Sequence, residues 1–138
     1  HHGAEVAAMM LGMQNTRTDM CCIYDMKMGC GAYMPLFDAN TRKPVQAYYS
    51  MVAFNQLYKL GTQVALECDT EELYAVAATN GKKNALVISN LTGETQPLNI
   101  EGVDLTDARF SVIDDTRLLS WSPFVSEIKN NEVYLIEF

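Results

Sequence analysis

The spacing of apolar residues changes at residue 61, and this change restricts the chain to few architectures. Before it, residues 4–15 and 44–60 carry apolar side chains three and four positions apart, which is the period of an amphipathic helix. After it, short segments alternate with a period of two between turn sequences such as TNGKKN, NLTGE and KNNE. The fold is therefore predicted to be mainly β: a helical first part, residues 1–61, followed by an antiparallel β-sandwich, residues 62–138.

The first part is predicted to begin with a helix and a strand. In residues 4–15, Val6, Met9 and other methionines recur at helical spacing, and we interpret the methionines as core residues. The continuous apolar run at residues 20–25 is typical of a strand that is buried on both faces in a parallel sheet. A loop to about residue 42 follows, and its length makes it a candidate for function.

The second helix, residues 44–60, is marked at both ends. Pro44 suits the first helical position because its missing N–H has no partner there, and Gly61 suits a left-handed cap. The apolar side chains are numerous enough to contact more than one neighbour. The predicted stripe is Val45, Tyr48, Tyr49, Val52, Ala53, Leu57 and Leu60, widened by Met51, Phe54 and Tyr58.

The second part is predicted to contain six strands and a less regular seventh segment. Their spacing of about 10–12 residues, with turn residues between them, is typical of an antiparallel sandwich. The six strands are predicted at residues 63–67, 73–79, 84–90, 95–100, 108–114 and 132–137, and the seventh segment lies near 118–124.

Charge excludes several classes of partner. Residues 62–138 contain thirteen acids and five bases, whereas residues 1–61 contain four acids and five bases. An acidic surface repels phosphate groups, so neither nucleic acid nor an anionic membrane is an expected partner. No apolar run reaches the ~18 residues that a membrane-spanning helix requires.

The cysteines and histidines do not form a metal motif. Cys21, Cys22, Cys30 and Cys68 contain no C-x-x-C pair, and the histidines are His1 and His2, so no zinc site and no cofactor are predicted. We interpret the cysteines as mostly buried free thiols. Free thiols favour a reducing compartment such as the cytoplasm, or an anaerobic source.

No catalytic residue is predicted, because nucleophile, phosphate-binding and metalloprotease motifs are absent and the adjacent acids at 71–72 and 114–115 lie in predicted turns.

One cluster of residues is a candidate for sugar binding. Asp25 ends the predicted parallel strand, where α/β barrels place their sites. Tyr24, Tyr33, Phe37 and Asp38 lie in or beside the following loop, so these five residues are predicted to form the rim of a sugar-binding cleft. The alternative is that the aromatic residues pack the loop and the aspartate caps a turn.

The segment YDMKMGCGAYMPLFDANTRKPVQAYYSMVAFNQLYKLGTQV, residues 24–64, resembles the end of the catalytic barrel in clan A glycoside hydrolases, in particular β-xylosidase-like and arabinofuranosidase-like enzymes. In those retaining enzymes the last strand and helix of a (β/α)8 barrel precede an accessory β-sandwich. The segment LYAVAATNGKKNALVISNLTGETQPLNI, residues 73–100, is similar to part of that sandwich. The resemblance implies that residues 1–61 are a helix–strand–helix remnant of a (β/α)8 barrel.

The resemblance also implies a function. The family's two catalytic glutamates lie at the ends of the fourth and seventh barrel strands, and no residue here matches either position, so the chain alone is expected to be inactive. It would stabilise the barrel and at most contribute a rim to the sugar site. The implied partners are an N-terminal barrel of the same protein and, through the parent enzyme, an oligosaccharide or polysaccharide. The exposed barrel remnant is expected either to fold back onto the sandwich or to pair two copies of the chain.

Two other functions remain open from the residues alone. The chain is an independent carbohydrate-binding module if Trp121, the single tryptophan, forms a sugar-stacking platform. The other sandwich aromatics, which include Phe110, Phe124 and Tyr134, are predicted to point mostly inward. The third function is a protein-interaction sandwich of immunoglobulin-like architecture, which fold alone cannot exclude.

Overall fold

The computed structural model describes residues 2–23, 35–124 and 126–138. Within them the chain forms two helices, α1 (His2–Met13) and α2 (Gln46–Leu60). Eight strands follow: β1 (Thr62–Val64), β2 (Leu73–Thr79), β3 (Asn84–Asn90), β4 (Gln96–Pro97), β5 (Arg109–Ile113), β6 (Leu118–Ser122), β7 (Glu127–Ile128) and β8 (Val133–Glu137).

Six of these strands form one antiparallel sheet in the order β1-β2-β3-β8-β5-β6. The remaining two, β4 and β7, pair in a small separate sheet. The β2–β3 hairpin is closed by Asn80, whose side-chain oxygen accepts hydrogen bonds from the backbone N–H groups of Lys82 and Lys83 at 3.0 and 2.8 Å. Gly81 has a φ of 84°, which this tight turn requires.

Both faces of the central strands β3, β5 and β8 are buried. Because successive side chains of a strand point to opposite faces, Val87 and Leu135 join the cluster beneath the helices, whereas Leu86 and Tyr134 join a second cluster on the other face. The second cluster includes Leu98 and Ile128 from the two-stranded region. The observed fold is thus mainly β, with helices covering one face of the large sheet and a small sheet region covering the other.

Helices α1 and α2 contact each other and the sheet through small residues. A Cβ atom added at Gly3 would lie 2.8 Å from the Cβ of Gln46, so the helices could not approach so closely with a larger residue there. The Ser50 hydroxyl donates to the Gly3 carbonyl at 2.7 Å. The Ser89 hydroxyl of β3 donates to the Ala4 carbonyl at 2.8 Å, which ties α1 to the sheet.

The helix boundaries and the buried face of each helix differ from the predictions. Pro44 is not the first helical residue, because Val45 is extended and its N–H donates to the Leu36 carbonyl at 3.0 Å. Helix α2 ends as predicted at Gly61, which has a φ of 86°. In α1 the buried face consists mainly of small residues rather than methionines, and Met9 is exposed.

The predicted buried strand at residues 20–25 is wrong for the four positions that are described. Residues 20–23 form no strand, and Met20 is 80% exposed. A parallel strand is stabilised by neighbours on both sides, and within the described part of the chain no strand pairs with this segment. Tyr24 and Asp25 lie outside the described residues.

The cysteines and one aromatic residue are also more exposed than predicted. Cys21, Cys22 and Cys68 are exposed free thiols, because their segments lie outside the helices and sheets that form the core. Cys30 lies outside the described residues. Phe124, predicted to point inward, is 48% exposed because it follows the end of β6.

The predicted strands at 73–79 and 84–90 are confirmed at both ends by β2 and β3. Those at 63–67 and 95–100 are shorter than predicted, since only Thr62–Val64 and Gln96–Pro97 pair. Strand β7 was not predicted, because two residues are too few to show an alternating pattern.

Candidate functional site

The loop before α2 is held by the carboxylate of Asp38. Its Oδ1 atom accepts hydrogen bonds from the Thr41 N–H at 2.7 Å, the Thr41 hydroxyl at 2.8 Å and the Asn40 N–H at 3.1 Å. The backbone and side-chain hydrogen bonds from Thr41 hold the pKa of Asp38 below its ordinary value. The carboxylate is therefore charged at neutral pH and stabilises the turn that presents it.

Backbone pairing closes the base of the same loop. Phe37 and Pro44 form an antiparallel bridge, and the Asp38 N–H donates to the Lys43 carbonyl at 2.9 Å. Arg42, between them, has a φ of 58°, an uncommon conformation for a residue other than glycine. The loop at 37–44 is thus a compact hairpin that leads directly into α2.

Phe37 links this hairpin to an apolar groove. Its ring lies against that of Tyr48, with centroids 5.5 Å apart and planes inclined at 50°. The groove has a volume of about 610 Å³. It is lined by Met10, Leu36, Phe37, Tyr48, Met51, Val52, Phe54, Asn55 and Tyr58.

The groove lies on the side of α2 that does not face the sheet. Ala53 and Leu57 of α2 are buried in the cluster beneath the helices, whereas Tyr58 is 78% and Met51 37% exposed. The prediction that α2 contacts more than one neighbour is confirmed, because α2 packs against both α1 and the large sheet. An exposed apolar patch of this kind is typical of a surface that contacts another protein element.

Two of the five predicted rim residues can be placed. Phe37 and Asp38 lie in the hairpin before α2; Phe37 contacts Tyr48, and Asp38 caps the turn. Tyr24, Asp25 and Tyr33 lie outside the described residues.

Within residues 2–23, 35–124 and 126–138, no cluster of three histidine, cysteine or acidic side chains could hold a metal ion. Over the same ranges, neither helix has the length and hydropathy needed to cross a bilayer.

A second surface, at the outer edge of the large sheet, contains Trp121 of β6, which is 68% exposed. Trp121 lies directly opposite Ser111 of β5. Ser111 lines a cavity of about 260 Å³ together with Gln56, Arg109, Leu119, Leu135 and Glu137. Sequence reasoning found Trp121 but missed the cavity, because the pairing of β5 with β8 that brings Arg109 opposite Glu137 is not local in sequence.

A charged network stabilises the turn between β5 and β6. Arg117 donates to Asp114 Oδ2 through Nε at 2.7 Å and pairs with Glu132 Oε1 at 3.3 Å. Partial burial acts to raise the pKa of Asp114, but hydrogen bonds from Arg117 and Thr116 outweigh it and lower the pKa to about 2. Burial, together with the charge of Glu132, raises the pKa of Tyr134 to about 12. These groups bind one another, which indicates a structural role.

Asn90 also has a structural role. It is fully buried, and its side-chain amide donates to the carbonyls of Glu94 and Ile128 at 2.8 and 2.9 Å. Its side-chain oxygen accepts from the Thr92 N–H at 3.0 Å. The amide thus joins β3 to the small sheet, and its nitrogen is not accessible in the folded chain.

Comparison with known proteins identifies the fold. No protein-family model matches the sequence, and no curated protein sequence matches it. Among solved structures, a glycoside hydrolase family 30 subfamily 8 xylanase from Clostridium acetobutylicum matches 98% of this chain with a TM-score of 0.68 and 14% identity. The chain therefore shares its fold with part of this xylanase structure.

Two further xylanase structures match the chain in the same way. The catalytic domain of a family 30 xylanase from Talaromyces cellulolyticus matches 98% of the chain with a TM-score of 0.70 and 11% identity. A family 30 endoxylanase from Clostridium papyrosolvens matches 75% of the chain with a TM-score of 0.58 and 16% identity. The chain spans 38%, 34% and 30% of the lengths of these three structures, in the order given.

Proposed function

We propose that the chain is a non-catalytic region of a glycoside hydrolase, which stabilises the enzyme's (β/α)8 barrel. The observation that carries the proposal is the match of 98% of this chain, helices included, to about a third of two xylanase structures. In this proposal residues 1–61 belong to the barrel and residues 62–138 form the accessory β-sandwich.

The apolar groove supports this function. A helix of a (β/α)8 barrel must bury one side against the barrel strands and neighbouring helices. Here α2 buries Ala53 and Leu57 toward the sheet and exposes Met51 and Tyr58 on the opposite side. The proposed barrel would cover this second side, so that α2 joins the sandwich to the catalytic domain.

The rim assignment belongs to the same proposal. Tyr24, Asp25, Tyr33, Phe37 and Asp38 would border the sugar cleft of the complete enzyme. The hydrogen bonds of Asp38 to Thr41 suggest that it acts by shaping the loop. In the complete enzyme, Asp38→Asn should therefore raise KM for the polysaccharide with little change in kcat, and the control Asn40→Asp should change neither.

Xylan is the proposed substrate class, since three of the matched structures are named as xylanases. The residues that resemble β-xylosidase-like and arabinofuranosidase-like enzymes favour an enzyme acting on xylose or arabinose units. Assay of the complete enzyme on polymeric xylan, aryl β-xyloside and aryl arabinofuranoside distinguishes an endo-acting enzyme from an exo-acting one.

The experiment that tests the function compares this chain with the complete protein. The complete protein should hydrolyse at least one of these substrates, and a glutamate at the end of a strand upstream of this chain should be essential. The chain alone should give no turnover. Turnover by the chain alone that disappears when one of its own acids, such as Asp38, is changed would contradict the proposal.

A further inference from the structure

Trp121 is an exposed aromatic residue whose position the core does not explain. It is the single tryptophan of the chain, lies on the edge strand β6, and is 68% exposed. Tryptophan combines a large apolar ring with an N–H donor, and for this reason it is enriched at binding interfaces.

The neighbourhood of Trp121 is a polar cavity. Opposing residues of an antiparallel pair have their side chains on the same face, with Cβ atoms ~5 Å apart, so Trp121 stands beside Ser111. Ser111 is a wall of the 260 Å³ cavity. The other lining residues come from the neighbouring strands β5, β6 and β8 and from Gln56 of α2. The tryptophan ring is therefore next to several hydrogen-bonding side chains.

The charges of the cavity are balanced. Arg109 of β5 lies directly opposite Glu137 of β8, and both line the cavity. Among the described residues, the ion pairs found involve neither side chain. Both can therefore hydrogen-bond a ligand, and together they add no net charge. A neutral ligand with many hydroxyl groups fits this arrangement better than a phosphate or a carboxylate.

We propose that Trp121 and this cavity bind a neutral pyranose unit of a polysaccharide chain. The apolar face of the sugar ring stacks on the indole, while Gln56, Arg109 and Glu137 hydrogen-bond its hydroxyls. The choice of xylan as the polysaccharide rests on the proposed function; the sugar site itself rests on the side chains. A nucleobase could also stack on tryptophan, but the thirteen acids of residues 62–138 would repel its phosphates.

The site is separate from the apolar groove. With 3.6 residues per turn, Gln56 lies ~140° around the helix from Met51 and ~160° from Tyr58. A barrel that covers Met51 and Tyr58 would thus contact a different side of α2. The structure therefore favours a surface site that tethers a polysaccharide chain.

Intrinsic fluorescence tests the proposal directly, because all tryptophan emission comes from Trp121. The chain is titrated with xylohexaose and with soluble xylan, while emission and acrylamide quenching are recorded and affinity is measured by calorimetry. We expect a shift in emission, protection from acrylamide, and saturable binding. Trp121→Phe should weaken binding, and Trp121→Ala should weaken it about tenfold or more. Arg109→Ala should weaken it with Trp121 still present.

Tyr58→Ala is the matched control, since it removes a still more exposed aromatic ring from the groove and should leave sugar affinity unchanged. Equal affinity in Trp121→Ala and the unaltered chain, or an equal loss in Tyr58→Ala, overturns the proposal, as does absence of binding to both ligands. The site can be judged apart from the enzymatic function: in the complete protein, Trp121→Ala should lower the rate on polymeric xylan and leave that on aryl xyloside unchanged.

Discussion

Asp114 shows how a single carboxylate stabilises the edge of the sheet. Its folded pKa of about 2 lies below the ~3.9 of an unfolded aspartate, so its contribution is complete above about pH 5 and is lost as the pH falls through 4 toward 2. Asp114→Asn should lower the free energy of unfolding by about 1–2 kcal/mol at pH 7. Urea denaturation at pH 7, 4 and 3 should show this difference shrinking. The exposed neighbour, changed as Asp115→Asn, is the control; a pH-independent difference would contradict the assignment.

Asn90 shows how an uncharged side chain stabilises the fold through hydrogen bonds. Asn90→Ala would leave the buried carbonyl of Ile128 and the N–H of Thr92 without their side-chain partner. Unfolding free energy should fall by about 2–3 kcal/mol, as measured by thermal and urea denaturation. Asn99→Ala, which removes an exposed side chain that donates a hydrogen bond to the Glu101 carboxylate, should cost less than about 0.5 kcal/mol. Similar costs for the two variants would show that Asn90 does not connect the sheets.

Among the helices and strands, the features that neighbouring residues determine were predictable from the sequence, whereas pairings between segments far apart in the chain were not. β2 and β3 pair with each other across the Asn80–Gly81 turn, so alternation and turn residues together determine both strands. Residues 20–23 have the composition of a buried strand, but partners elsewhere in the chain decide whether such a run is paired. The position of Phe37 in a loop before α2 was predictable from local sequence, whereas the groove and the cavity beside Trp121 depend on how helices and strands pack.

The end of α2 provides a test at this scale. Gly61 has a φ of 86°, and among the described residues no atom beyond its chain neighbours lies within 4 Å of where a Cβ would be, so a side chain there meets backbone strain but no clash. Gly61→Ala should destabilise the fold by about 1 kcal/mol in urea denaturation, and Gly61→Asn by less, because asparagine adopts this conformation more readily. An equal effect of the two substitutions would mean that the left-handed conformation does not determine the cost.

For the whole molecule, the two exposed surfaces have different chemistry. The groove is apolar and continuous with the helix pair, whereas the Trp121 site combines one aromatic ring with polar side chains. A protein element that covers the groove would be stabilised by the burial of apolar surface. A sugar bound at Trp121 would instead leave most of its own surface in contact with water. The molecule therefore has one surface suited to permanent contact and another suited to reversible binding.

The groove should make the isolated chain associate with itself. Without a partner on Met51 and Tyr58, two copies can bury these side chains against each other, so light scattering should show a mass that rises with concentration, together with binding of an apolar dye. Met51→Lys should shift association to at least about tenfold higher concentration, because a buried lysine must lose its hydration, and should change unfolding free energy by less than about 0.5 kcal/mol. Asn99→Lys makes the same charge change at an exposed position outside the groove and should leave association unchanged. A chain that stays monomeric and binds no dye at every concentration, with Met51 unaltered, would contradict the assignment of the groove as a contact surface.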